Sequence, residues 1–243
     1  MPTHFKADLH IHTCLSPCAE WEMTPKAIIA KSREHDLDII AICDHNSAEN
    51  TAAAIRAGKK NGVCVLPGME ICSKEEVHIL AIFESPEQAL AMQTYIYAHL
   101  PGKNRPEYFG HQIVVNENDD VIEENSRLLI GATTLGIREI VDKTHEMQGL
   151  SIASHVDRPA FGIISQLGFI PPDLPLDAVE VSFRMSVRDA REKIAGIRDL
   201  PCITSSDAHY PDDIGKIRTI FAINEPSFEE IRLALQDLQD LQD

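Results

Sequence analysis

The feature that most constrains the fold is an alternation of short apolar runs with segments of helical period. The runs are rich in β-branched residues, which is typical of buried strands, and the segments between them are long enough for helices. Such an alternation predicts parallel strands joined by crossover helices. The seven predicted strands are 7–11, 39–43, 64–69, 77–83, 150–154, 178–182 and 202–206. Helices are predicted to open at Thr24-Pro25, at Ser47-Ala48, at Ser85-Pro86, near Thr134 and near Ser186.

This order of elements predicts an α/β fold, a distorted seven-stranded (β/α)7 TIM-like barrel, as one domain over residues 1–243. Barrels of this length are ordinary as single domains. Residues 101–131 break the rhythm with Pro, Gly, Asn and a charge run, so we expect an insertion over the barrel mouth. The final LQDLQDLQD, from Leu235, predicts a helix with a partly apolar stripe.

Charge and targeting signals narrow the function. The chain has 22 basic and 38 acidic residues and a formal charge of −16, which argues against a surface for long nucleic acid but not against a nucleotide substrate. The start, MPTHFKADLHIHT, lacks a basic region followed by an apolar stretch, and no apolar run is long enough to span a bilayer. We therefore expect a cytoplasmic protein with no membrane partner. The 6 cysteines lie mostly in apolar runs and are expected to be free thiols.

Side chains that can bind metal end nearly every predicted strand. The carboxyl ends of barrel strands meet at one mouth, so residues distant in sequence become neighbours there. His10 and His12 are two residues apart in a strand and face the same side, and Asp207 and His209 repeat this spacing after the last strand. Burying so many carboxylates and imidazoles without a cation would be costly, which favours a metal cluster. The strand-end residues are His10, His12, Asp44, His45, Glu70, His78, His155, Asp207 and His209.

These motifs resemble the polymerase and histidinol phosphatase (PHP) superfamily. The resemblance runs in order through DLHIHT, AICDHN, LPGMEI, VHILAIF, ASHVDRP and SSDAHYP, over residues 8–211. It implies a stand-alone phosphoesterase with two or three divalent ions (Mn, Zn or Fe). The expected substrate is a small phosphorylated metabolite, a nucleotide or a short oligonucleotide, attacked by a metal-bridging hydroxide.

The resemblance also implies how the ligands are shared among the ions. One ion would be held by His10, His12, Glu70 and Asp207, and Glu70 would bridge to a second ion held by His78 and His155. His45 and His209 would hold the third. The family usually places an Asp soon after its HxH motif, but this chain reads CLSPCAEWEMTP there. Aligning on Thr24-Pro25 predicts Glu20 as the third-site ligand, with Glu22 and Cys18 as alternatives.

Further roles and rival functions complete the prediction. Glu70, Asp207 and Asp44 are assigned to catalysis, although Asp44 could act only by orienting a ligand histidine or by capping a strand. Arg158 and Arg184 are predicted to clamp a phosphate, unless they are surface ion-pair residues. The rival functions are an amide or lactone hydrolase, and a regulatory PHP module that binds metal without catalysis.

Overall fold

The computed structural model describes residues 2–240, with side chains through residue 237. The strands are β1 Thr3–Ile11, β2 Ile39–Ile42, β3 Cys64–Cys72, β4 His78–Ile82, β5 Ile113–Val115, β6 Val121–Glu124, β7 Leu150–Ala153, β8 Ala178–Glu180, β9 Cys202–Ile203 and β10 Thr219–Ile223. The helices are α1 Pro25–Glu34, α2 Thr51–Asn61, α3 Pro86–Ala98, α4 Pro106–Phe109, α5 Ile137–Glu146, α6 Ile163–Leu167, α7 Val187–Lys193 and α8 Phe228–Asp240.

Eight strands form one nearly closed, barrel-like sheet in the order β10-β1-β2-β3-β4-β7-β8-β9. All seven predicted strands are in this sheet. The sheet nearly closes where the segment after its edge strand β9 meets the end of β1. There the amide of His12 donates to the carbonyl of Ala208 at 3.0 Å. The mixed α/β, TIM-like barrel class is thereby confirmed.

The expectation of an all-parallel sheet was wrong at two strands. β4 runs antiparallel to both β3 and β7, because residues 73–77 between β3 and β4 are too few for a crossover helix. β10, which was not predicted, pairs antiparallel with β1 on its other edge. The reversal of β4 places its first residue, His78, at the same barrel end as the last residues of the parallel strands.

Several predicted helix starts match observed caps. Thr24 and Ser85 are the N-caps of α1 and α3, each followed by Pro, and Ser186 is the N-cap of α7. α2 begins at Thr51 rather than near Ser47. At the C-terminus Leu235 is buried within α8, whereas the predicted stripe beyond it lies outside the residues whose side chains are described.

The 101–131 insertion, which contains α4 and the β5–β6 hairpin, packs on the mouth as predicted. The amide of Ile113 donates to the carbonyl of Cys14 at 3.0 Å, and Asn46 Nδ2 donates to the carbonyl of Leu129 at 2.7 Å. Gly110 has φ +96°, and a Cβ there would lie 2.2 Å from the Pro17 carbonyl oxygen. The insertion thus supports the loops that follow β1 and β2.

The apolar core fills the barrel beneath this mouth. One cluster joins inward side chains of the strands, among them Leu66, Leu80 and Ala178, to the apolar face of α8. Residues two apart on a strand share a face, so His78 lies on the face of Leu80, and Glu180 on the face of Ala178. All six cysteines are free, as expected. Among residues 2–240, no helix is long and apolar enough to cross a membrane.

Candidate metal centre

The predicted ligands meet at the mouth of the barrel in three overlapping groups. Within each group the ligand atoms all lie within 4.8 Å of one another. The groups are His10, His12, Glu70 and Asp207; His45, Glu70 and His78; and His12, His45 and His209. The first contains the residues expected to hold the first ion. The second contains His45 where the resemblance implies His155.

The carboxylate of Glu70 is at the centre of these groups. Its Oε1 lies 2.9 Å from His78 Nδ1, 3.2 Å from His155 Nε2 and 3.3 Å from His10 Nε2. Its Oε2 lies 3.1 Å from His45 Nδ1 and 3.5 Å from His12 Nε2. One buried carboxylate therefore contacts five imidazoles, which is the position expected of a ligand that bridges two cations.

A carboxylate that the sequence interpretation missed holds His10 in place. The Nδ1 of His10 donates to Glu180 at 3.0 Å, and the amide of His155 donates to the same carboxylate at 3.1 Å. Glu180 is fully buried at the end of β8. Because Nδ1 carries the proton, the Nε2 of neutral His10 directs its lone pair at the cluster. The available signal was a single acid inside the apolar run AVEVS.

Ser16 and Asp44 fix the orientation of His12 in a similar way. The Ser16 hydroxyl donates to Asp44 Oδ1 at 2.7 Å and accepts from the His45 amide at 3.1 Å. Its contact with His12 Nδ1, at 2.9 Å, therefore uses the Nδ1 proton and leaves Nε2 free for a cation. Asp44 also accepts two hydrogen bonds from Thr13. Asp44 thus lies behind His12 and reaches it through the Ser16 hydroxyl.

Two of the candidate ligands have backbone conformations that non-glycine residues seldom adopt. His155 has φ +30° and Asp207 has φ +51°. Asp207 Oδ1 lies 3.2 Å from His12 Nε2 and 3.3 Å from His10 Nε2. Local strain of this kind is kept where the surroundings over-determine the geometry, as they do in functional sites.

The electrostatics favour an ionised, cation-binding centre. Burial raises the pKa of Glu70, but the imidazoles of His78 and His10 outweigh it and hold that pKa well below its usual value. Burial and the neighbouring imidazole of His209 hold the pKa of His12 well below its usual value. Burial acts to lower the pKa of His10, yet the surrounding carboxylates, Glu180 foremost, hold it well above 6.5. A cation that occupied the centre would replace the proton on His10.

Unpaired polar atoms show that the residues fit divalent ions. Two buried ligand atoms have no aligned hydrogen-bond partner among the described residues: His78 Nδ1, although it lies 2.9 Å from Glu70 Oε1, and Asp207 Oδ1, although it lies 3.2 Å from His12 Nε2. Leaving such atoms unpaired is costly, whereas binding a metal would satisfy them. Imidazole and carboxylate donors suit Zn, Mn or Fe.

The loop after β1 brings none of its three candidate ligands into the third group. Glu20 is exposed, and its amide donates to the carbonyl of His209 at 3.0 Å. Cys18, Glu20 and Glu22 all lie outside the three groups. Cys18 lines the cavity beside His209, but it is exposed, as Glu20 is. The structure therefore does not bring the predicted Glu20 to the third group, and the same holds for the alternatives Glu22 and Cys18.

A cavity of about 610 Å³ opens beside the cluster. Arg158 lines it and donates from a guanidinium nitrogen to Asp207 Oδ2 at 2.5 Å, so it lies beside the cluster. Arg184 does not line this cavity; it is exposed in a neighbouring depression. Lys216, which was not predicted, lines both.

The chain belongs to the PHP domain family. The family model described as PHP domain matches residues 8–165, and a second model described as PHP-associated matches residues 189–239. An uncharacterised protein of Methanocaldococcus jannaschii is 27% identical over 184 residues, or 72% of this chain and 80% of that protein. The resemblance found in the sequence is therefore confirmed. Family membership and the cluster together give the chain a PHP domain whose mouth could hold metal ions.

Several solved structures have the same fold. The lesion-specific endonuclease Q of Pyrococcus furiosus matches with a TM-score of 0.68 and 20% identity, over 97% of this chain and 56% of that one. The chain thus spans little more than half of that endonuclease. A protein of Bifidobacterium adolescentis, provisionally named a metal-dependent phosphoesterase, matches with a TM-score of 0.62 and 21% identity over 97% of both chains. An amidohydrolase of Chromobacterium violaceum matches with a TM-score of 0.62 and 18% identity over 96% of both chains.

Proposed function

We propose that the chain hydrolyses phosphate esters with two or three divalent ions, Mn, Zn or Fe. The observation that carries this proposal is the buried Glu70 carboxylate, which contacts five imidazoles beside a cavity lined by Arg158. His10, His12, Glu70 and Asp207 would hold one ion. Glu70 would share a second ion with His78 and with His45 or His155. The whole chain, 1–243, would act as one domain, since β10, in the second matched segment, pairs with β1, which continues into the first.

The side chains divide the chemical work. Bound divalent ions would supply Lewis acidity and lower the pKa of a coordinated water towards about 7. Glu70 and Asp207, both ionised, compensate the charge of the ions, and Glu180 keeps His10 in the tautomer that binds metal. The guanidinium of Arg158 lies in the cavity wall beside Asp207. From there it would donate to the non-bridging phosphoryl oxygens of a bound substrate as their charge grows.

The cavity supports a nucleotide or a short oligonucleotide as substrate. Phe183 and Tyr210 line it and are 61% and 49% exposed, so their rings are open to a base. Stacking on exposed aromatic rings and contact with cations such as Lys216 are how proteins bind single-stranded nucleic acid without reading its sequence. The expected exclusion of long nucleic acid has no support in the comparisons, because an endonuclease Q is solved with a 27-mer duplex.

A substrate screen tests the proposal. Purified protein loaded with Mn²⁺ would be assayed with phosphomonoesters, phosphodiesters, single-stranded oligonucleotides, duplex DNA and a set of amides and lactones. We expect phosphate ester hydrolysis that orthophosphate inhibits and that the variant Glu70→Gln lacks. Hydrolysis of amides or lactones alone would instead support the amidohydrolase alternative, since the Chromobacterium violaceum amidohydrolase has the same fold. Tight metal binding without turnover of any substrate would support a regulatory module.

A further inference from the structure

A second depression adjoins the cavity beside the metal centre. Its volume is about 550 Å³, and Phe183, Lys216 and Ile217 line both. None of the candidate metal ligands lines the second depression, so its chemistry is separate from that of the cluster. A molecule that reaches the metal centre through the first cavity has room to extend past the Phe183 ring into the second.

The charge of this depression is opposite to that of the chain. Arg184, Lys216 and Arg218 line it, and none of its described lining residues is acidic. Each of the other four cavities in the described part of the chain has at least two carboxylates in its lining. In a chain with a formal charge of −16, three cations without a lining carboxylate form a local site for an anion.

Hydrogen bonds hold the wall that contains Arg184. The amide and the hydroxyl of Ser182 donate to the Asp157 carboxylate at 2.8 Å and 2.7 Å, and the Ser182 hydroxyl accepts from the Arg184 amide at 3.2 Å. Asp157 directly precedes Arg158, so one short segment anchors this wall and contributes a cation to the first cavity. The Arg184 guanidinium lies 5.7 Å from the centre of the Phe183 ring and is paired with no described carboxylate.

The segment that contains Lys216 and Arg218 is also fixed to the barrel. The amide of Gly215 donates to the buried carboxylate of Asp8, on β1, at 3.0 Å, and Arg218 Nη1 donates to the Gly215 carbonyl at 3.2 Å. The Lys216 ammonium lies 2.8 Å from the carboxylate of Asp213, which lines the first cavity. The two arginines are therefore the cations of this depression most available to an anion.

We propose that Arg184, Arg218 and Lys216 bind a second phosphate of the substrate, next to the phosphate ester that the metal centre would hydrolyse. This inference rests on the proposed function and narrows its substrate to a molecule with two phosphates. Guanidinium groups match phosphate oxygens through paired hydrogen bonds. The second phosphate has two sources, a small bisphosphorylated metabolite and the next unit of an oligonucleotide. The exposed Phe183 ring between the two cavities favours the oligonucleotide, because a base would stack on it.

Steady-state kinetics of the Mn²⁺-loaded protein test this proposal with three substrates: a nucleoside monophosphate, a dinucleotide with a 5′ phosphate and a sugar bisphosphate. We expect the ratio of kcat/KM for the dinucleotide to kcat/KM for the monophosphate to fall about tenfold in Arg184→Gln and in Arg218→Gln, because each loses charge-assisted hydrogen bonds to the second phosphate. Arg188→Gln, exposed on α7 and outside both cavities, is the matched control and should keep the wild-type ratio. Phe183→Leu should lower the ratio for the dinucleotide more than that for the sugar bisphosphate.

Binding to the metal-free protein gives a second readout that does not depend on turnover. In the presence of a chelator, isothermal titration should show tighter binding of the dinucleotide than of the monophosphate, and Arg184→Gln should remove most of this difference. Circular dichroism checks that each variant keeps the wild-type fold.

The outcomes separate this proposal from the function on which it rests. Wild-type ratios and wild-type binding in both arginine variants overturn the second phosphate site and leave the phosphoesterase proposal standing. Equal losses for the monophosphate and the dinucleotide also overturn it, because the arginines would then act on the first phosphate. Weaker dinucleotide binding in the variants of a protein that hydrolyses no phosphate ester supports the site and contradicts the proposed function. A loss with the sugar bisphosphate alone supports the site and assigns its phosphate to a small metabolite.

Discussion

Acidic residues at the two ends of the barrel have different kinds of partner. At the amino ends of the strands, Asp38 accepts from the amide of Lys6 at 2.8 Å, and Asp177 accepts from the amide of Ser151 at 2.7 Å and from His145 at 2.8 Å. At the mouth, Glu70 and Asp207 contact imidazoles from several strands, and Asp207 Oδ1 has no hydrogen-bond partner among the described residues.

This contrast separates groups that stabilise the fold from groups that are available for chemistry. The acids at the amino ends pair with neighbouring backbone amides and need no further partner. Those at the mouth converge from different strands, and a cation would pair them more completely than the protein does. A barrel whose amino end contributes stability and whose carboxyl end contributes function is the general pattern for this architecture. The following measurements test whether the two ends are separable in this chain.

The largest expected effect is on turnover when the central carboxylate is changed. Glu70→Gln keeps the shape of the side chain and removes the charge shared between two ions. We expect phosphate ester hydrolysis to fall at least about a thousandfold, ~4 kcal/mol of transition-state stabilisation, with an unchanged circular dichroism spectrum. Glu123→Gln, on the exposed strand β6, is the control and should turn over as the wild type does. Wild-type turnover in Glu70→Gln would show that the chemistry lies elsewhere.

A second test asks whether cations stabilise the mouth. Elemental analysis of protein never exposed to chelator should find at least two divalent ions per chain, a number that follows from the proposed sharing of Glu70. Mn²⁺ at about 100 times its Kd should raise the free energy of unfolding by about 2.7 kcal/mol per site.

The pH dependence of that stabilisation has a definite sign. The folded protein without metal holds the pKa of His10 well above 6.5, so a proton competes with the cation there. The stabilisation by Mn²⁺, measured by chemical unfolding, should therefore be smaller at pH 6 than at pH 8. Equal stabilisation at both values would mean that His10 does not bind the ion.

Much of the barrel and most of the cluster could be predicted, because neighbouring residues in the sequence are enough to recognise a strand and its end. The seven runs are apolar on both faces, and the metal-binding residues interrupt or follow them. The direction of β4 was also predictable in principle, since residues 73–77 leave no room for a crossover. β10 was missed because TIFAI follows a run of turns and pairs with β1, more than 200 residues earlier.

The misplaced site residues depended on contacts between segments far apart in the chain. Glu180 became a partner of His10 only when β8 and β1 faced each other across the barrel, 170 residues apart. Glu20 lies outside the third group although its amide donates to the carbonyl of His209, because its side chain is exposed. Alignment of short motifs carries no information about the direction of a loop.

A smaller effect is expected from the carboxylate behind His10. Glu180→Gln removes the charge that orients the imidazole and raises its pKa. Changes to such partners of metal-binding histidines typically weaken metal binding about 10–100-fold. Isothermal titration with Mn²⁺ should show this loss together with metal binding that persists to lower pH, because the pKa of His10 falls. Glu192→Gln, exposed on α7, is the control. A weakened affinity with an unchanged pH profile would indicate a packing role alone.

The smallest effect is expected at the opposite end of the barrel, where His145 Nε2 lies 2.8 Å from Asp177 Oδ2. The hydrogen bond to this carboxylate raises the pKa of His145 above 6.5. A raised histidine pKa favours the protonated folded state, so its stabilisation is complete below the unfolded pKa of about 6.5 and is lost as pH rises through the folded pKa. His145→Gln, which can still hydrogen-bond, should therefore cost roughly 0.5–1 kcal/mol at acidic pH and progressively less at alkaline pH, since the pair is partly exposed.

His111→Gln is the matched control, because His111 Nδ1 lies at the same 2.8 Å from Glu124, where both side chains are more than 40% exposed. Urea unfolding across pH measures both variants, and phosphate ester hydrolysis should be unchanged in each. If the loss of stability does not vary with pH, the ion pair between His145 and Asp177 does not stabilise the fold. A loss of turnover in His145→Gln would show that the two ends of the barrel are coupled.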